Sequence, residues 1–243
     1  MTLISAIVRV GEADSSCQLH QGVPQGSPLS PILFTIFLDP ILREVAAITN
    51  IQAFADDLIL WTSTDRHHSE AQHLMLALRH LEQWAHNWRM TFAPDKCMAM
   101  CITRLRRIGP PPSFQFCGAT ITTATSFRYL GVLIDNKLTW GPHVNKATTK
   151  ALRRLQDIRK FCGTFWGTHP SIIHRLISGA VLPILYYASP IWSSVLSSRG
   201  SCRPLERVLR LAGILTCGLL RTSSTEVALM LSGLLPPELE LRQ

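Results

Sequence analysis

The chain has 243 residues, 47% hydrophobic and 16% charged, which is enough apolar surface to bury a core and excludes an intrinsically disordered polymer. Its formal charge of +8 is unevenly spread: residues 1–100 carry six Lys or Arg against ten Asp or Glu, and residues 101–243 carry eighteen against six. The first part is suited to holding cations or supplying catalytic acids, and the second to meeting a polyanion such as nucleic acid, or to presenting an ordinary basic surface.

In chain order, Leu3–Val10 reads as a strand or a helix end, and Gly11–Ser16 as a loop. Met1–Val10 has no basic segment leading into a long apolar run, so no secretory signal is expected and the protein is placed inside the cell, in nucleus or cytoplasm. Gln21-Gly-Val-Pro-Gln-Gly-Ser-Pro-Leu-Ser-Pro31 is a Gly/Pro loop running directly into Ile32, Leu33, Phe34, Ile36, Phe37 and Leu38. Ser30 is positioned to cap a helix and Pro31 to open it. Being apolar nearly all round, this helix is expected to be buried. Gly22 and Gly26 permit close backbone approach, and the helix N-terminus behind them offers N–H groups to an anion.

Ile51–Ala55 and Leu58–Trp61 read as two strands joined by a tight turn at Asp56–Asp57. Unpaired carboxylates are costly among neighbours as apolar as Ala53, Phe54, Leu58, Ile59 and Leu60. Either the pair is a solvated turn or it holds a hard divalent cation, for which oxygen ligands are required. Ser69–Trp88 follows as an amphipathic helix, with Leu74, Leu78, Leu81, Ala85 and Trp88 on one stripe that should back a sheet. Further strands are expected in Met98–Ile102 and Phe127–Ile134, separated by the breaker Gly109–Pro112 and a polar hairpin over Cys117–Ala124.

From Trp140 the pattern turns helical, which places a domain boundary near 140. Between Lys137 and Lys160 there are seven basic residues and one acid. On a helix, Lys146, Lys150, Arg153, Asp157 and Lys160 share one face, opposite Val144, Ala147, Ala151, Leu155 and Ile158. That face is either a solvated lysine surface or a track for phosphates. Leu176–Ser198 carries no charge, but Pro183, Pro190 and several Ser interrupt it, so core helices are expected there and no membrane span. The seven cysteines form no CxxC pair and have no His at zinc-finger spacing, so reduced, partly buried thiols are expected.

The loop GVPQGSPLSP, the aliphatic helix after it and Phe54-Ala55-Asp56-Asp57 together resemble the reverse transcriptase domain of non-LTR (LINE-like) retrotransposons. Phe127-Arg-Tyr-Leu-Gly-Val-Leu-Ile-Asp135 is similar to the family's YLGV segment, and Trp140-x-x-His143 and Leu185-Tyr-Tyr-x-x-x-x-Trp192 extend the likeness over most of the chain. The resemblance implies an α+β fold: a partial right-hand palm over 1–139, an antiparallel sheet with packed helices, then an all-helical thumb-like region over 140–243. It implies RNA-directed DNA polymerisation by two-metal nucleotidyl transfer, with Mg2+ or, in its place, Mn2+, and with an RNA template, a DNA primer and deoxynucleoside triphosphates as partners.

On matching residues, Asp56 would bind both ions and Asp57 would assist, while Phe54 would pack near the primer terminus. Gln25 and Gly26 would border the template base and incoming nucleotide. Lys96, in a segment similar to the family's N-x-x-K motif but without its Asn, would contact the pyrophosphate or else be a plain surface lysine. Tyr129, Leu130 and Gly131 would face the primer backbone, and Lys146, Lys150, Arg153 and Lys160 the backbone of the hybrid.

The family's first catalytic Asp has no counterpart here, since Asp14 sits on the wrong loop and Asp39 falls late in the helix after the Gly/Pro loop. The expectation is therefore an N-terminally truncated polymerase domain, inactive alone. The alternative is a noncatalytic nucleic-acid-binding remnant that uses the basic helix.

Overall fold

The computed structural model describes residues 4–10, 13–19, 26–63, 67–104, 112–162, 167–197 and 199–240. Two compact units divide the chain, one of residues 1–97 and 112–122, the other of residues 98–111 and 123–243.

In the first unit, β1 (Ile4–Val10) pairs antiparallel with β2 (Ala13–Leu19), Ile4 opposite Leu19. Helix α1 (Ser30–Ala46) starts one residue earlier than expected: Leu29 holds the N-cap position, without a side-chain cap, and Ser30 is already helical. Strands β3 (Asn50–Phe54) and β4 (Asp57–Trp61) form an antiparallel hairpin, and α2 spans His67–Trp88. Arg89 ends α2 in a left-handed conformation (φ 54°), with Met90 N–H donating to Ala85 O at 2.8 Å. That closure usually takes glycine at this position.

The unit's core joins Leu38, Ile41 and Val45 of α1 to Ala77, Leu81, Trp84 and Ala85 of α2, with the hairpin residues Ile51, Ala53, Leu58 and Leu60 packed against it. Of the stripe predicted on α2, Leu78, Leu81 and Ala85 form the packing face, whereas Leu74 is only half-buried outside that core and Trp88 lies exposed at the end. Burial of α1 on all sides is not what the structure has. Ile32, Leu33 and Ile36 are 57%, 51% and 64% exposed, because α2 and the hairpin cover only the Leu38–Ile41–Val45 side.

Short strands follow: β5 (Met98–Ala99), β6 (Gln115–Phe116), β7 (Ala119–Thr120) and β8 (Thr122–Thr123). The hairpin expected near Cys117 is β6–β7, turning at Cys117 and Gly118, both with positive φ. Every sheet among the described residues has two strands. The fold is mixed helix and small sheets. The antiparallel sheet expected from the resemblance is divided, among the described residues, into separate two-stranded sheets with open edges; all but β5 with β8 join strands adjacent in sequence.

In the second unit, β9 (Ser126–Tyr129) and β10 (Val132–Asp135) form a hairpin with Tyr129 opposite Val132. Its two-residue turn, Leu130 (φ 44°) and Gly131 (φ 86°), has positive φ at both positions, the geometry that matches the twist of paired strands. This hairpin, grouped by the sequence reading with residues before 140, packs with α3 (Gly141–Arg159), which follows it. Then come α4 (Pro170–Ala180), α5 (Leu182–Leu185), α6 (Ser189–Trp192), α7 (Arg199–Cys217), α8 (Thr225–Ser232) and α9 (Pro237–Glu240).

The face expected to be apolar on α3 is the buried one: Val144, Ala147, Ala151, Leu155 and Ile158 all lie inside. Val144, Ala151, Leu155 and Ile158 share a core with Ile173 and Ile177 of α4, Trp192 of α6 and Leu205, Val208 and Leu209 of α7. The uncharged stretch 176–198 is broken into short helices, and Val181, at the joint of α4 and α5, is buried in this core with Leu185 and Trp192. Among the described residues no single helix is long and apolar enough to cross a membrane. Cys97, Cys101, Cys162 and Cys217 are half-buried free thiols, Cys202 is buried and Cys117 is exposed.

Candidate functional site

The paired carboxylates sit at the tip of the β3–β4 hairpin. The register, Phe54 opposite Asp57, makes Ala55 and Asp56 the turn, one residue earlier than the sequence pattern places it, so that Asp57 opens β4. Ala55 is held at φ 52°, a left-handed conformation costing an L-residue about 1–2 kcal/mol. The small methyl limits steric conflict there, and the strain is stored beside the two acids. Asp56, Asp57 and Phe54 are all exposed, Phe54 by 61%. The strands below them share a core with α1, so one packed body fixes both the hairpin and the helix that the Gly/Pro loop enters.

Of that loop, Gln25 lies outside the described residues. Gly26 has φ 91°, a conformation side chains rarely adopt, and a methyl there would meet nothing within 4 Å. Ser27 Oγ accepts from Leu29 N–H at 3.3 Å just ahead of α1. Lys96 closes a 3-10 turn, Pro94–Lys96, and is exposed. Among the described residues no group of three or more His, Cys, Asp or Glu gathers where it could hold a metal ion. Asp56 and Asp57 offer hard oxygens, free of ion pairs with described residues, and this suits magnesium completed by substrate phosphates. Asp39 is taken by Arg43, at 2.8 Å one helical turn on.

The Tyr129-Leu130-Gly131 turn is clamped from three sides within the second unit. Tyr187 Oη donates to Leu130 O at 2.8 Å, and its ring lies where a Gly131 Cβ would stand, 2.9 Å from Cε1. Trp192 Nε1 donates to Tyr187 O at 2.9 Å, fixing that backbone in turn. Leu133 N–H donates to His143 Nδ1 at 3.2 Å, which puts the imidazole proton on Nε2. Nε2 is buried without a hydrogen-bond partner. Burial lowers the basicity of His143, the Tyr187 carbonyl opposes this in part, and Lys146 reinforces it.

Asp135, buried at the end of β10, accepts from Thr139 N–H (2.9 Å), Thr139 Oγ1 (2.9 Å) and Trp140 N–H (2.8 Å). Burial alone would raise its pKa, but these bonds outweigh burial and hold it below the usual carboxylate range. Asp135, Trp140, His143, Tyr187 and Trp192 therefore lock the turn to the helices, a role that spacing alone does not reveal.

On the outer face of α3, Asn145, Lys146, Thr149, Lys150 and Arg153 line a shallow cleft of about 520 Å3. Lys160 is not among them and is ion-paired with Asp157 at 2.9 Å. Sequence reasoning passed over Arg203 and Arg207 on α7, which border a neighbouring cleft. Their four-residue spacing was the available signal.

The reverse transcriptase (RNA-dependent DNA polymerase) family matches residues 2–134. The chain is 25% identical over 225 residues to a Retrovirus-related Pol polyprotein from type-1 retrotransposable element R1 2 of Nasonia vitripennis, covering 90% of this chain and 55% of that protein. It is 30% identical over 140 residues to the RNA-directed DNA polymerase from mobile element jockey of Drosophila melanogaster, covering 55% of this chain and 15% of that one. The Retrovirus-related Pol polyprotein from type-1 retrotransposable element R1 of Bradysia coprophila is 25% identical over 223 residues, 90% of this chain and 22% of its own length. The chain thus spans about half of one of these relatives and less than a quarter of the other two. No solved structure matches it.

Proposed function

Because the chain belongs to the reverse transcriptase (RNA-dependent DNA polymerase) family, on its non-LTR, LINE-like side, we propose that it is the part of an RNA-directed DNA polymerase that carries the metal-binding turn and the primer-facing hairpin. The supporting observation is the hairpin tip, where Asp56 and Asp57 stand exposed on strands packed to the helix that follows GVPQGSPLSP. Magnesium bound there would supply Lewis-acid stabilisation of an attacking 3′-hydroxyl and a departing pyrophosphate. Asp56, in the turn, would be the principal carboxylate holding the metal and Asp57 the assisting one. Phe54 packs beside the primer end, and Gln25 and Gly26 border the template base and incoming deoxynucleoside triphosphate. Lys96 meets the pyrophosphate.

Tyr129, Leu130 and Gly131 face the primer backbone, and the clamp from Tyr187 and His143 keeps them in register. Lys146, Lys150 and Arg153 track the phosphates of an RNA–DNA hybrid, with Lys160 a weaker contributor because Asp157 engages it. In this reading residues 1–139 act as a partial palm and 140–243 as a thumb. Two carboxylates from one turn are a sparse cage for two ions, so the chain alone is not expected to extend oligo(dT) on poly(rA) in magnesium or manganese.

Mn2+ binding followed by electron paramagnetic resonance, with deoxynucleoside triphosphate present, tests the turn: Asp56→Asn should abolish the bound signal. Unchanged binding by that variant would remove the metal role. The second reading, nucleic-acid binding without catalysis, draws on the unpaired cations of α3, and it gains if hybrid binding survives Asp56→Asn while Mn2+ binding is absent from the wild type.

A further inference from the structure

Helix α1 leaves its N-terminal half uncovered. Leu29, Ile32, Leu33 and Ile36 are all more than half exposed, and they fall at steps of three and four residues, the spacing of a seam between two packed helices. No Asp, Glu, Lys, Arg or His occurs from Gly22 to Leu38. Thr35, exposed among them, already donates its hydroxyl to Pro31 O at 2.9 Å, so a cover over this strip leaves its hydrogen bond in place. Trp88 extends the strip from α2: its ring meets Phe37 edge-on with centroids 5.2 Å apart, yet 58% of the residue is open.

At roughly 150–250 Å2 for a tryptophan and somewhat less for leucine or isoleucine, these five residues leave about 500 Å2 of apolar surface uncovered. That is the upper end of what a monomer exposes, where such patches mark interaction sites. The strip also matches itself. In an antiparallel pair of α1 helices with a two-fold axis between Ile32 and Leu33, Leu29 of one copy falls opposite Ile36 of the other, and Ile32 opposite Leu33, as an isologous contact requires. The same register brings Asp39 of each copy alongside Gly26 and Ser27 of the other, just ahead of the α1 N-terminus, where the helix dipole favours a carboxylate. Two copies joined in this way cover about 1,000 Å2, which is what a specific interface needs.

We propose that the exposed face of α1, with Trp88 of α2, is the interface of a two-fold homodimer. The strip from Leu29 to Ile36 forms its uncharged centre, Trp88 its aromatic flank, and Asp39 with its Arg43 partner the polar rim. A strongly charged partner has nothing to engage in the centre, whereas a second copy supplies the matching apolar strip. This interface involves α1 and α2 alone and stands apart from the metal and nucleic-acid readings above.

Sedimentation equilibrium of the full chain over about 1–100 μM tests it, since an interface at the low end of the standard size associates weakly. The mass should rise with concentration from 27.1 kDa towards twice that value. Leu33→Asp with Ile36→Asp puts unpaired carboxylates in the centre of the contact and should weaken association at least about 100-fold. Both positions are exposed in the monomer, so its circular dichroism and melting temperature should stay near wild type. Leu33→Glu and Ile32→Lys should each be monomeric alone and pair when mixed, because the register sets those two positions opposite each other.

A wild type that keeps a mass of 27.1 kDa at the highest concentration would overturn the homodimer and leave the face to a different protein. Dimers that survive Leu33→Asp with Ile36→Asp would overturn this interface, and assemblies growing beyond the dimer would overturn the two-fold axis. Failure of the folded Leu33→Glu and Ile32→Lys chains to pair on mixing would overturn the register.

Discussion

Gly213→Ala sets two physical effects against each other in the middle of α7. On an isolated helix the substitution gains about 1 kcal/mol, since alanine is the better helix former. In this fold Gly213 lies where α8 crosses, and a methyl there would stand 2.5 Å from the carbonyl oxygen of Ala228, 2.9 Å from its carbon and 3.1 Å from Ser232 Oγ. The obstacle is backbone, so α8 must move outward by most of an ångström. Its contacts through the buried Ala228 and Leu229 then weaken. Overpacking of this kind costs about 2–3 kcal/mol, which leaves a net destabilisation of about 1–2 kcal/mol after the propensity gain.

Gly179, near the end of α4 with nothing within 4 Å of its Cβ position, provides the control. There the same change should stabilise by a few tenths to about 1 kcal/mol. Urea unfolding monitored by far-ultraviolet circular dichroism, with amide exchange over 225–232 as a local readout, measures both. If Gly213→Ala stabilises as much as Gly179→Ala and leaves exchange in α8 unchanged, the close approach of α7 and α8 is wrong.

Asp135→Ala removes the acceptor for three hydrogen bonds at the start of α3 and should cost about 3 kcal/mol, read as a drop in the urea midpoint. In the wild type, the lowered pKa of Asp135 means that its stabilisation is complete above the unfolded carboxylate value of about 4 and is lost as pH falls below it. His143 is depressed from 6.5, so the unfolded chain takes up its proton first. Its contribution should be full above about pH 6.5 and decline as pH falls from there, and a His143→Asn variant should lose less stability than wild type between pH 7.5 and 5.5. Tyr187→Phe deletes only the bond to Leu130 O and should cost about 1 kcal/mol, with faster amide exchange confined mainly to the 129–132 turn; unaltered exchange there would count against the clamp. Arg89→Gly relieves a left-handed arginine at the end of α2 and should raise the melting temperature, with a gain of up to about 1 kcal/mol.

The parts of the fold legible in the sequence are those where one local signal decides. Helix α3 is the clearest: apolar residues at three and four residue steps and cations on the opposite side dictate which face is buried, and Val144, Ala147, Ala151, Leu155 and Ile158 are inside. For α1 composition was a poor guide, because an all-apolar helix does not say which of its faces a neighbour will cover. The Asp56–Asp57 turn was found but misplaced by one residue, since register depends on strand pairing, and pairing Phe54 with Asp57 forces Ala55 into the turn. The clamp on Leu130 comes from a residue 57 positions away, and the α7 arginines join α3 only through packing, so neither could be read from a window of local sequence.

The stacking of Tyr187 on Gly131 has a bearing on how sequences of this kind can drift. A side chain at 131 needs both a backbone conformation that L-residues resist and the space now filled by the tyrosine ring. The two positions should therefore change together or not at all. A homologue with a bulkier residue at the first ought to have a small one at the second and to hold its hairpin by some other bond than the phenol.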